Sequence, residues 1–349
     1  MSRIVTFGEI MARLEPPGYQ RFQQAMPGSL KVTFAGSEAS IAASYSYLGG
    51  EATFVTALPY HEIAKACLAD LRSLGVNTRN IVRTHDGRLG LYYFERGVNQ
   101  RTANVIYDRD GSSVSITPAE DYDWDRIFEQ ADWFVISGIT PAISRNAATV
   151  SRIAIEEAAR RNVRICCDMN YRSKLWKWDP SLSSRELAGQ MMRQLLPSVD
   201  LLIAGHEDLT DTLGYAPHAD HKSLIQPLIA EFPKIGSVAM SRRASASASV
   251  EKYGGLLYDV ESDQVHYAPS EHSLYEINPI IDRLGAGDAF TAGLLFAMTT
   301  AELADPKTAI QFATAAGCLA HSNEGDYHYS SRAEIEILMT GNASGRVRR

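Results

Sequence analysis

A glycine-rich turn that ends in an aspartate is the part of this sequence best suited to chemistry. Residues 282–288 read Asp-Arg-Leu-Gly-Ala-Gly-Asp and lie between a short apolar run and a stretch of small residues typical of a helix. Such a turn presents unpaired backbone N–H groups at a helix N-terminus, where an anion is well held. Asp288 would be placed there to accept a proton from a hydroxyl that attacks a phosphoryl group. On its own, the segment is equally compatible with a plain glycine turn whose aspartate lies in the first turn of a helix.

Two other phosphate-binding loops are excluded by the sequence. It contains no Gly-Lys dipeptide, so the Walker A loop is absent. The dinucleotide fingerprint G-x-G-x-x-G also fails, because Phe290 takes the third glycine position and only Gly8 follows the first apolar run. A nicotinamide dehydrogenase, the other common function for an α/β chain of this length, therefore lacks its phosphate site.

The elements that must position this turn follow from a simple alternation along the chain. Short apolar runs are separated by longer stretches with helical periodicity, such as residues 37–48 and 145–161. Strands that alternate with helices predict parallel β-α-β units and a sheet covered on both faces. The predicted strands are residues 4–7, 51–58, 131–137, 163–168, 200–204 and 237–241.

A different pattern interrupts the alternation. Residues 89–95 and 102–109 are aromatic and β-branched runs joined by a loop with Gly97 and Asn99, which predicts an antiparallel hairpin. An early segment rich in proline and glycine reads as extended rather than helical. We interpret residues 1–349 as a single domain whose lid is built from about 11–35 and 88–115. Residues 244–249 are predicted to be a loop before a strand at 250–253.

Composition bounds the partners and the compartment. A net charge of −7 argues against nonspecific nucleic-acid binding, which needs a basic field. The four cysteines have no metal-site spacing, so we expect buried, reduced thiols and a cytoplasmic protein. No run of 18 apolar residues is present, so no membrane association is expected.

Two motifs together resemble a known family. Residues 282–293 resemble the C-terminal signature of the ribokinase-like, or PfkB-type, carbohydrate kinases, and residues 35–42 resemble the N-terminal glycine motif that lines the sugar pocket in that family. The resemblance runs over nearly the whole chain. It implies a three-layer α/β/α core with a mostly parallel sheet, a small β-sheet lid, and ATP with Mg²⁺ as co-substrate and metal.

Within the family, the likeness is greatest to kinases of 2-keto-3-deoxygluconate. It implies ATP-dependent phosphorylation of that sugar acid at its terminal hydroxyl, giving 2-keto-3-deoxy-6-phosphogluconate. Alternatives are a kinase for another ketose or keto-sugar acid, such as fructose or 2-keto-3-deoxygalactonate, or a catalytically silent sugar-binding protein on the same fold. The supporting segments are residues 90–93, 107–112, 168–176, 325–327 and 345–349.

The resemblance also implies which residues form the site. The base would be Asp288, helped by the backbone amides of Gly285, Ala286 and Gly287. The implied sugar contacts are Gly36, Tyr92, Tyr107, Arg109, Arg172 and Asp288, and the implied nucleotide contacts are Asn170, Ser241, Arg242, Gly285 and Gly287.

Residue chemistry agrees with a sugar acid. Arg109 and Arg172 offer planar donor forks that suit a carboxylate and that a neutral sugar does not require. Tyr107 and Arg109 are two positions apart in a predicted strand, so they share one face. Arg172 follows a strand that ends near Asp168, at the edge where open α/β sheets bind ligands. Seen in isolation, these residues would be expected on solvated surfaces.

One motif departs from the family pattern. Where many members carry Asn-x-x-Glu, linked to metal and phosphate organisation, this chain reads Gly205-His206-Glu207-Asp208. The amide is missing, and the acid is Asp208, or Glu207 if the register shifts by one. The metal ligands are therefore left open, as is a possible homo-oligomer.

Overall fold

The computed structural model describes residues 2–341 and contains a central sheet whose strands are buried on both faces. From one edge to the other, its strands are β14 (Gln264–Ala268), β13 (Glu251–Asp259), β12 (Ser237–Ser245), β11 (Leu201–Ile203), β10 (Arg164–Asp168), β9 (Trp133–Ser137), β1 (Arg3–Phe7) and β4 (Glu51–Val55), and β15 (Tyr275–Ile277) pairs with β13. The pairs from β4 through β12 are parallel, and those among β12, β13, β14 and β15 are antiparallel.

Helices pack on both faces of this sheet. Cys166 and Cys167 show the two layers, because the first belongs to the apolar cluster on one face and the second to the cluster on the other. Both are buried free thiols, as their alternation in a strand predicts. The helices are α1 (Phe22–Ala25), α2 (Ser37–Tyr47), α3 (Glu62–Ser73), α4 (Ser113–Ile116), α5 (Trp124–Ile127), α6 (Arg145–Arg160), α7 (Ser184–Leu195), α8 (His221–Glu231), α9 (Ala286–Met298), α10 (Pro306–Ala320) and α11 (Arg332–Met339), with single turns at Ala119–Asp121, Thr140–Ala142, Leu196–Ser198 and Asp208–Thr212.

A small separate sheet stands beside the central one. Its order is β3-β2-β7-β8, formed by β2 (Met11–Glu15), β3 (Lys31–Ala35), β7 (Gly90–Glu95) and β8 (Asn104–Asp108). The predicted hairpin is confirmed, because β7 and β8 pair antiparallel with Tyr92 opposite Tyr107. Two further short strands, β5 (Ala57–Pro59) and β6 (Val82–Thr84), pair with each other. That the small sheet moves as a lid, and that the whole chain is one domain, stay predictions.

The α/β fold class with a mostly parallel sheet is confirmed, and so are the helices α2 and α6 and the predicted strands of the parallel part, except that the predicted strand 51–58 divides into β4 of the central sheet and β5 of the two-stranded sheet. Ser144 caps α6 by accepting a hydrogen bond from the amide of Ala147.

Two local expectations were wrong in part. The predicted loop at 244–249 begins inside β12, whose pairing with β13 continues to Ser245. The early segment includes the single helical turn α1. Residues 345–349, which contributed to the resemblance, lie outside the described residues. Across positions 2–341, no helix is both long enough and apolar enough to cross a membrane.

Candidate active site

A cleft of about 850 Å³ lies between the small sheet and the carboxyl ends of the parallel strands. In open α/β sheets, ligands bind at this edge. All the predicted site residues line the cleft except Ala286, whose side chain is buried in the core and which would act through its amide. Positions scattered over 250 residues of sequence are thus brought to one place, although their roles stay predictions.

Asp288 lies in the first turn of α9, buried at the bottom of the cleft. Its Oδ1 accepts a hydrogen bond of 2.7 Å from the hydroxyl of Ser37, at the start of α2. The amide of Asn170 donates to the same hydroxyl at 3.2 Å. Burial raises the pKa of Asp288 well above its ordinary value, and the charges of Asp168, Asp326 and Glu38 raise it further. Asp288 is thus a carboxyl with a high proton affinity, as a general base requires.

The turn before α9 has the geometry of an anion site. Gly285 has φ +78°, and a Cβ there would lie 2.0 Å from the carbonyl oxygen of Asp326, so only glycine fits. The first intrahelical hydrogen bond runs from the amide of Ala289 to the carbonyl of Gly285. The amides of Ala286, Gly287 and Asp288 come before that bond and have no intrahelical acceptor. They are available to an anion at the positive end of the helix.

Glycine is required at position 36 because the backbone there packs closely against the backbone of Glu9. A Cβ on Gly36 would lie 2.0 Å from the carbonyl oxygen of Glu9, which shows how tightly the end of β3 packs against the chain after β1. This packing places the N-terminus of α2, and with it Ser37, at the cleft beside Asp288.

Arg109 is a buried cation in the cleft wall. Its Nε donates to Oε2 of Glu9, but among residues 2–341 its Nη2 has no hydrogen-bond partner, and neither has Oε1 of Glu9. A buried donor without a partner is costly, so a ligand that accepts from Nη2 would relieve the cost. The guanidinium lies 5.6 Å from the ring centre of Tyr107, which also lines the cleft.

Arg172 lies in the loop after β10, exposed at the mouth of the cleft. Within the described part of the chain, its guanidinium makes only a long hydrogen bond of 3.4 Å, to the carbonyl of Tyr171. The predicted placement at the carboxyl edge is confirmed for this residue. Its side chain is free to turn toward a ligand.

Two acidic side chains lie close to Arg172. Burial, helped by the neighbouring charge of Asp208, raises the pKa of Asp168 to about 7. Asp208 accepts from the amide of Gly205 at 2.6 Å, and its pKa is also raised by burial. Glu207 is exposed, so Asp208 is the acid of this segment that turns inward.

A divalent cation fits this acidic pair chemically. Among residues 2–341, no group of three or more His, Cys, Asp or Glu side chains is arranged as a metal cage. Mg²⁺ usually keeps several waters and takes one or two carboxylates together with substrate phosphates. Two crowded carboxylates with raised pKa values are a suitable donor set, because a cation beside them would favour their ionised forms.

Ser241 and Arg242 lie on β12 and line the far side of the cleft. The guanidinium of Arg242 donates to the carbonyls of Ser270 and Glu271, and it packs 5.2 Å from the ring centre of Tyr267. Its neighbour Arg243, which sequence reasoning did not single out, also lines the cleft.

Asp326 is a cleft residue to which sequence analysis assigned no role. Its carboxylate accepts from the hydroxyl of Tyr92 at 3.0 Å and pairs with Arg13 at 2.7 Å. Arg13 is completely buried and also pairs with Glu15 and Asp282. Residues 325–327 are among the segments that resemble the kinase family, and this resemblance was the one sequence feature that could have pointed to Asp326. For Arg13 the sequence offers none.

Taken together, the cleft places a buried carboxyl beside an anion-binding turn. At the end of β8 it has Arg109, whose Nη2 is available as a hydrogen-bond donor. At the carboxyl edge of the central sheet it has the carboxyl groups of Asp168 and Asp208. This arrangement suits the transfer of a phosphoryl group to the hydroxyl of an anionic acceptor.

Comparison with known proteins agrees with that chemistry. Residues 1–333 match the model of the pfkB family of carbohydrate kinases. A relative from Haloferax volcanii, named 2-dehydro-3-deoxygalactonokinase, is 30% identical over 345 residues, which cover 99% of this chain and 98% of the relative.

Solved structures resemble this one closely. The crystal structure of 2-dehydro-3-deoxygluconokinase from Thermotoga maritima has a TM-score of 0.89 and 35% identity, covering 97% of this chain and 98% of that one. A putative ribokinase II from Escherichia coli, solved with ATP and Mg²⁺, has a TM-score of 0.76 over 98% of this chain and 100% of that chain. At 19% identity, this second likeness is one of fold.

Proposed function

The chain belongs to the pfkB family of carbohydrate kinases, as its two glycine motifs implied, and on that premise we propose that it phosphorylates 2-keto-3-deoxygluconate. ATP is the phosphoryl donor, and the product is 2-keto-3-deoxy-6-phosphogluconate. The observation that carries this proposal is the pairing, in one cleft, of Asp288 at its anion-binding turn with the unpartnered Nη2 of Arg109. The first feature serves the transferred phosphoryl group and the second serves the carboxylate of the acceptor.

The reaction is a displacement at the γ-phosphorus of ATP. The terminal hydroxyl oxygen of the sugar acid forms a bond to that phosphorus, while the bond to the bridging oxygen of ADP breaks. Asp288 takes the proton that the hydroxyl loses, and ADP leaves with the electron pair of the broken bond. General-base assistance of this kind is typically worth about 10² to 10⁴ in rate.

The turn before α9 stabilises the charge that spreads over the phosphoryl oxygens. The amides of Ala286 and Gly287 are fixed by the backbone before the substrate arrives, so no reorganisation is needed during the reaction. Gly285 makes this possible, since its left-handed conformation opens the helix end toward the cleft.

The acceptor is held between the small sheet and the loop that follows β10. Arg109 and Arg172 bind its carboxylate through charge-assisted hydrogen bonds, and Tyr92 and Tyr107 contact its carbon chain. The carboxylate of Asp326 accepts a hydrogen bond from a hydroxyl group of the sugar. Asn170, Ser241 and Arg242 lie on the nucleotide side of the same cleft, and their contacts with ATP are part of the proposal.

Mg²⁺ would be held by Asp168 and Asp208, largely through water, and would supply positive charge to the phosphates of ATP. We place the activity in the cytoplasm, where ATP is available and where four free thiols would stay reduced.

A specific observation favours a second acceptor. The prefixes 2-dehydro and 2-keto denote the same group. The relative from Haloferax volcanii is therefore named for 2-keto-3-deoxygalactonate, whereas the Thermotoga maritima structure is named for 2-keto-3-deoxygluconate. The two acids share the carboxylate and the terminal hydroxyl that the proposed contacts use, and they differ in configuration at C4.

A coupled assay of ADP formation with a panel of acceptors tests the proposal. We expect the highest kcat/KM for 2-keto-3-deoxygluconate, a measurable rate for the galactonate, and little turnover of fructose. A preference for the galactonate would assign the epimer instead. A preference for fructose would refute the sugar-acid assignment, and no ADP formation with any acceptor would indicate a silent binding protein.

The variants Arg109→Met and Arg172→Met test the carboxylate contacts. Each should raise KM for the sugar acid about tenfold to a hundredfold, because a charge-assisted hydrogen bond is worth about 1.5–3 kcal/mol. Neither should raise KM for fructose by a similar factor. A matched control is Arg145→Met, an exposed arginine outside the cleft that pairs with Asp179 and packs on Trp178. Equal effects on acid and neutral sugar would contradict the assignment.

A further inference from the structure

Arg243 lies beside the anion-binding turn, in the lining of the same cleft. A Cβ built on Gly287 would have Nη2 of Arg243 as its nearest heavy atom, at 3.9 Å. At this distance a side chain at position 287 would be in van der Waals contact with the guanidinium, so Arg243 lies directly beside the turn. Any group held over the amides of the turn would come close to this cation.

The strand β12 explains why this arginine, and not its neighbour, faces the turn. Successive side chains of a strand point to opposite faces. Arg242 uses its donors on the carbonyls of Ser270 and Glu271, whereas Arg243 lies 5.4 Å from the ring centre of Tyr253. The two arginines are therefore not interchangeable.

Arg243 also lacks a carboxylate partner. Glu251, the acid whose pKa it helps to lower, pairs instead with Arg283 at 3.4 Å and lies 3.5 Å from His321. Within residues 2–341, no carboxylate lies within 4 Å of the Arg243 guanidinium. The Arg243 guanidinium is exposed and makes no direct carboxylate contact among these residues, so it is available to an anionic ligand at the turn.

We propose that Arg243 binds the phosphoryl group in transfer and stabilises its charge together with the amides of Gly285, Ala286 and Gly287. The guanidinium is always protonated and presents a planar fork of donors that matches phosphoryl oxygens. Asp288 and Asp326 put negative charge beside the same turn, so a cation opposite them offsets repulsion of the incoming phosphates. The inference rests on the kinase function proposed above.

The variants Arg243→Met and Arg243→Lys test this role in the full chain. Loss of one donor to a developing oxyanion typically costs about 10² to 10³ in kcat, and we expect a loss of that size in Arg243→Met with KM for the sugar acid within about threefold of wild type. Arg243→Lys should recover part of the rate, because it keeps the charge but not the fork.

The matched control is Arg164→Met. Arg164 is exposed, belongs to the same central sheet, and packs 4.3 Å from the ring centre of Trp133, at the opposite end of the strands from the cleft. Its loss should leave kcat unchanged. Circular dichroism and thermal unfolding of both variants would show that each is folded.

A second measurement separates transition-state binding from ground-state binding. Calorimetry with Mg·ADP, and with Mg·ADP plus aluminium fluoride in the presence of the sugar acid, reports binding of a nucleotide and of a phosphoryl-transfer mimic. Arg243→Met should weaken the mimic at least tenfold more than it weakens Mg·ADP.

Three results would overturn the inference. The first is a kcat for Arg243→Met within threefold of wild type, and the second is a loss of kcat that Arg164→Met shares. The third is an effect of Arg243→Met on KM for ATP alone, with equally weakened binding of Mg·ADP and of Mg·ADP with aluminium fluoride. An active wild-type enzyme with an equally active Arg243→Met would refute only this role. A wild type that turns over no acceptor would refute the kinase function itself.

Discussion

Asp288 must lose a proton before it can act as a base, and its surroundings oppose that loss. Burial and three nearby carboxylates raise its pKa, while the hydrogen bond from Ser37 lowers it. Activity requires the ionised form, so the rate should rise with pH through this raised pKa. The acidic limb of the kcat/KM profile should therefore lie at higher pH than an ordinary aspartate would give.

The variant Ser37→Ala tests this balance. It removes the one hydrogen bond that favours the ionised carboxylate, so the pKa of Asp288 should rise and the acidic limb should move to higher pH. The control is Ser40→Ala, a buried serine one turn further along α2 whose hydroxyl has no partner. Its profile should match that of wild type.

The variant Asp288→Asn should lower kcat by about 10² to 10⁴ while the protein stays folded. Near-normal turnover in this variant would show that Asp288 is not the base. A limb that moves to lower pH in Ser37→Ala, or that moves equally in Ser40→Ala, would show that another group sets the profile.

At the scale of elements, buried ion pairs connect β2 to the core. We call Arg13, Glu15, Arg96, Asp282 and Asp326 the Arg13 cluster. Arg13 pairs with Asp282 at 2.5 Å and with Asp326 at 2.7 Å, and Arg96 pairs with Glu15 at 3.1 Å. Asp282 also accepts from the amides of Leu284 and Gly325. The cluster therefore links a strand of the small sheet both to the anion-binding turn and to a cleft carboxylate.

Arg13→Met should lower the free energy of unfolding by about 3–5 kcal/mol, because it leaves buried carboxylates without their cation. Urea denaturation measures the change. The control is Arg152→Met, which breaks an exposed pair with Glu156 on α6 and should cost at most about 0.5 kcal/mol. A similar small cost for both variants would mean that the Arg13 cluster contributes little to stability.

The elements that sequence analysis predicted well are those with a local pattern. The strands of the parallel sheet read as continuous apolar runs because both of their faces are covered, and the turn before Asp288 is defined by adjacent residues. Arg13 looks like any strand arginine, since two of its carboxylate partners, Asp282 and Asp326, lie hundreds of positions away. Alternation shows that Arg242 and Arg243 face opposite sides of the strand, but only the packed sheets decide which of them faces the anion-binding turn.

At the scale of the whole molecule, the small sheet has an apolar outer face. Val32, Leu14, Tyr93 and Ile106 are cross-strand neighbours in one row over four strands, which we call the outer row. Tyr92 and Tyr107, next to them in sequence, line the cleft, so the outer row points away from it. Val32 and Ile106 are each about half exposed, and such a continuous apolar row favours contact with another protein surface.

We expect a second copy of this chain to cover the outer row and form a dimer. Light scattering coupled to size exclusion should give twice the chain mass of 38.4 kDa, and Ile106→Glu should give the monomer mass because it places a charge in the row. The control is Tyr60→Glu. Tyr60 is an exposed aromatic residue that directly follows β5, outside the small sheet, so this variant should remain a dimer. A monomeric wild type, or a dimer that survives Ile106→Glu, would contradict this arrangement.

The Arg13 cluster also has a consequence for the newly made chain. Arg13 is 269 positions from Asp282 and 313 positions from Asp326. Ribosomes add about 5–20 residues per second, so on the order of tens of seconds pass between the synthesis of this arginine and that of its two core partners. During that interval β2 has no neutralising contact from the core and cannot take its final buried position. We therefore expect the small sheet, although encoded early, to reach its final position against the core only after residue 326 has been made, and this segment to be open to chaperones and proteases until then.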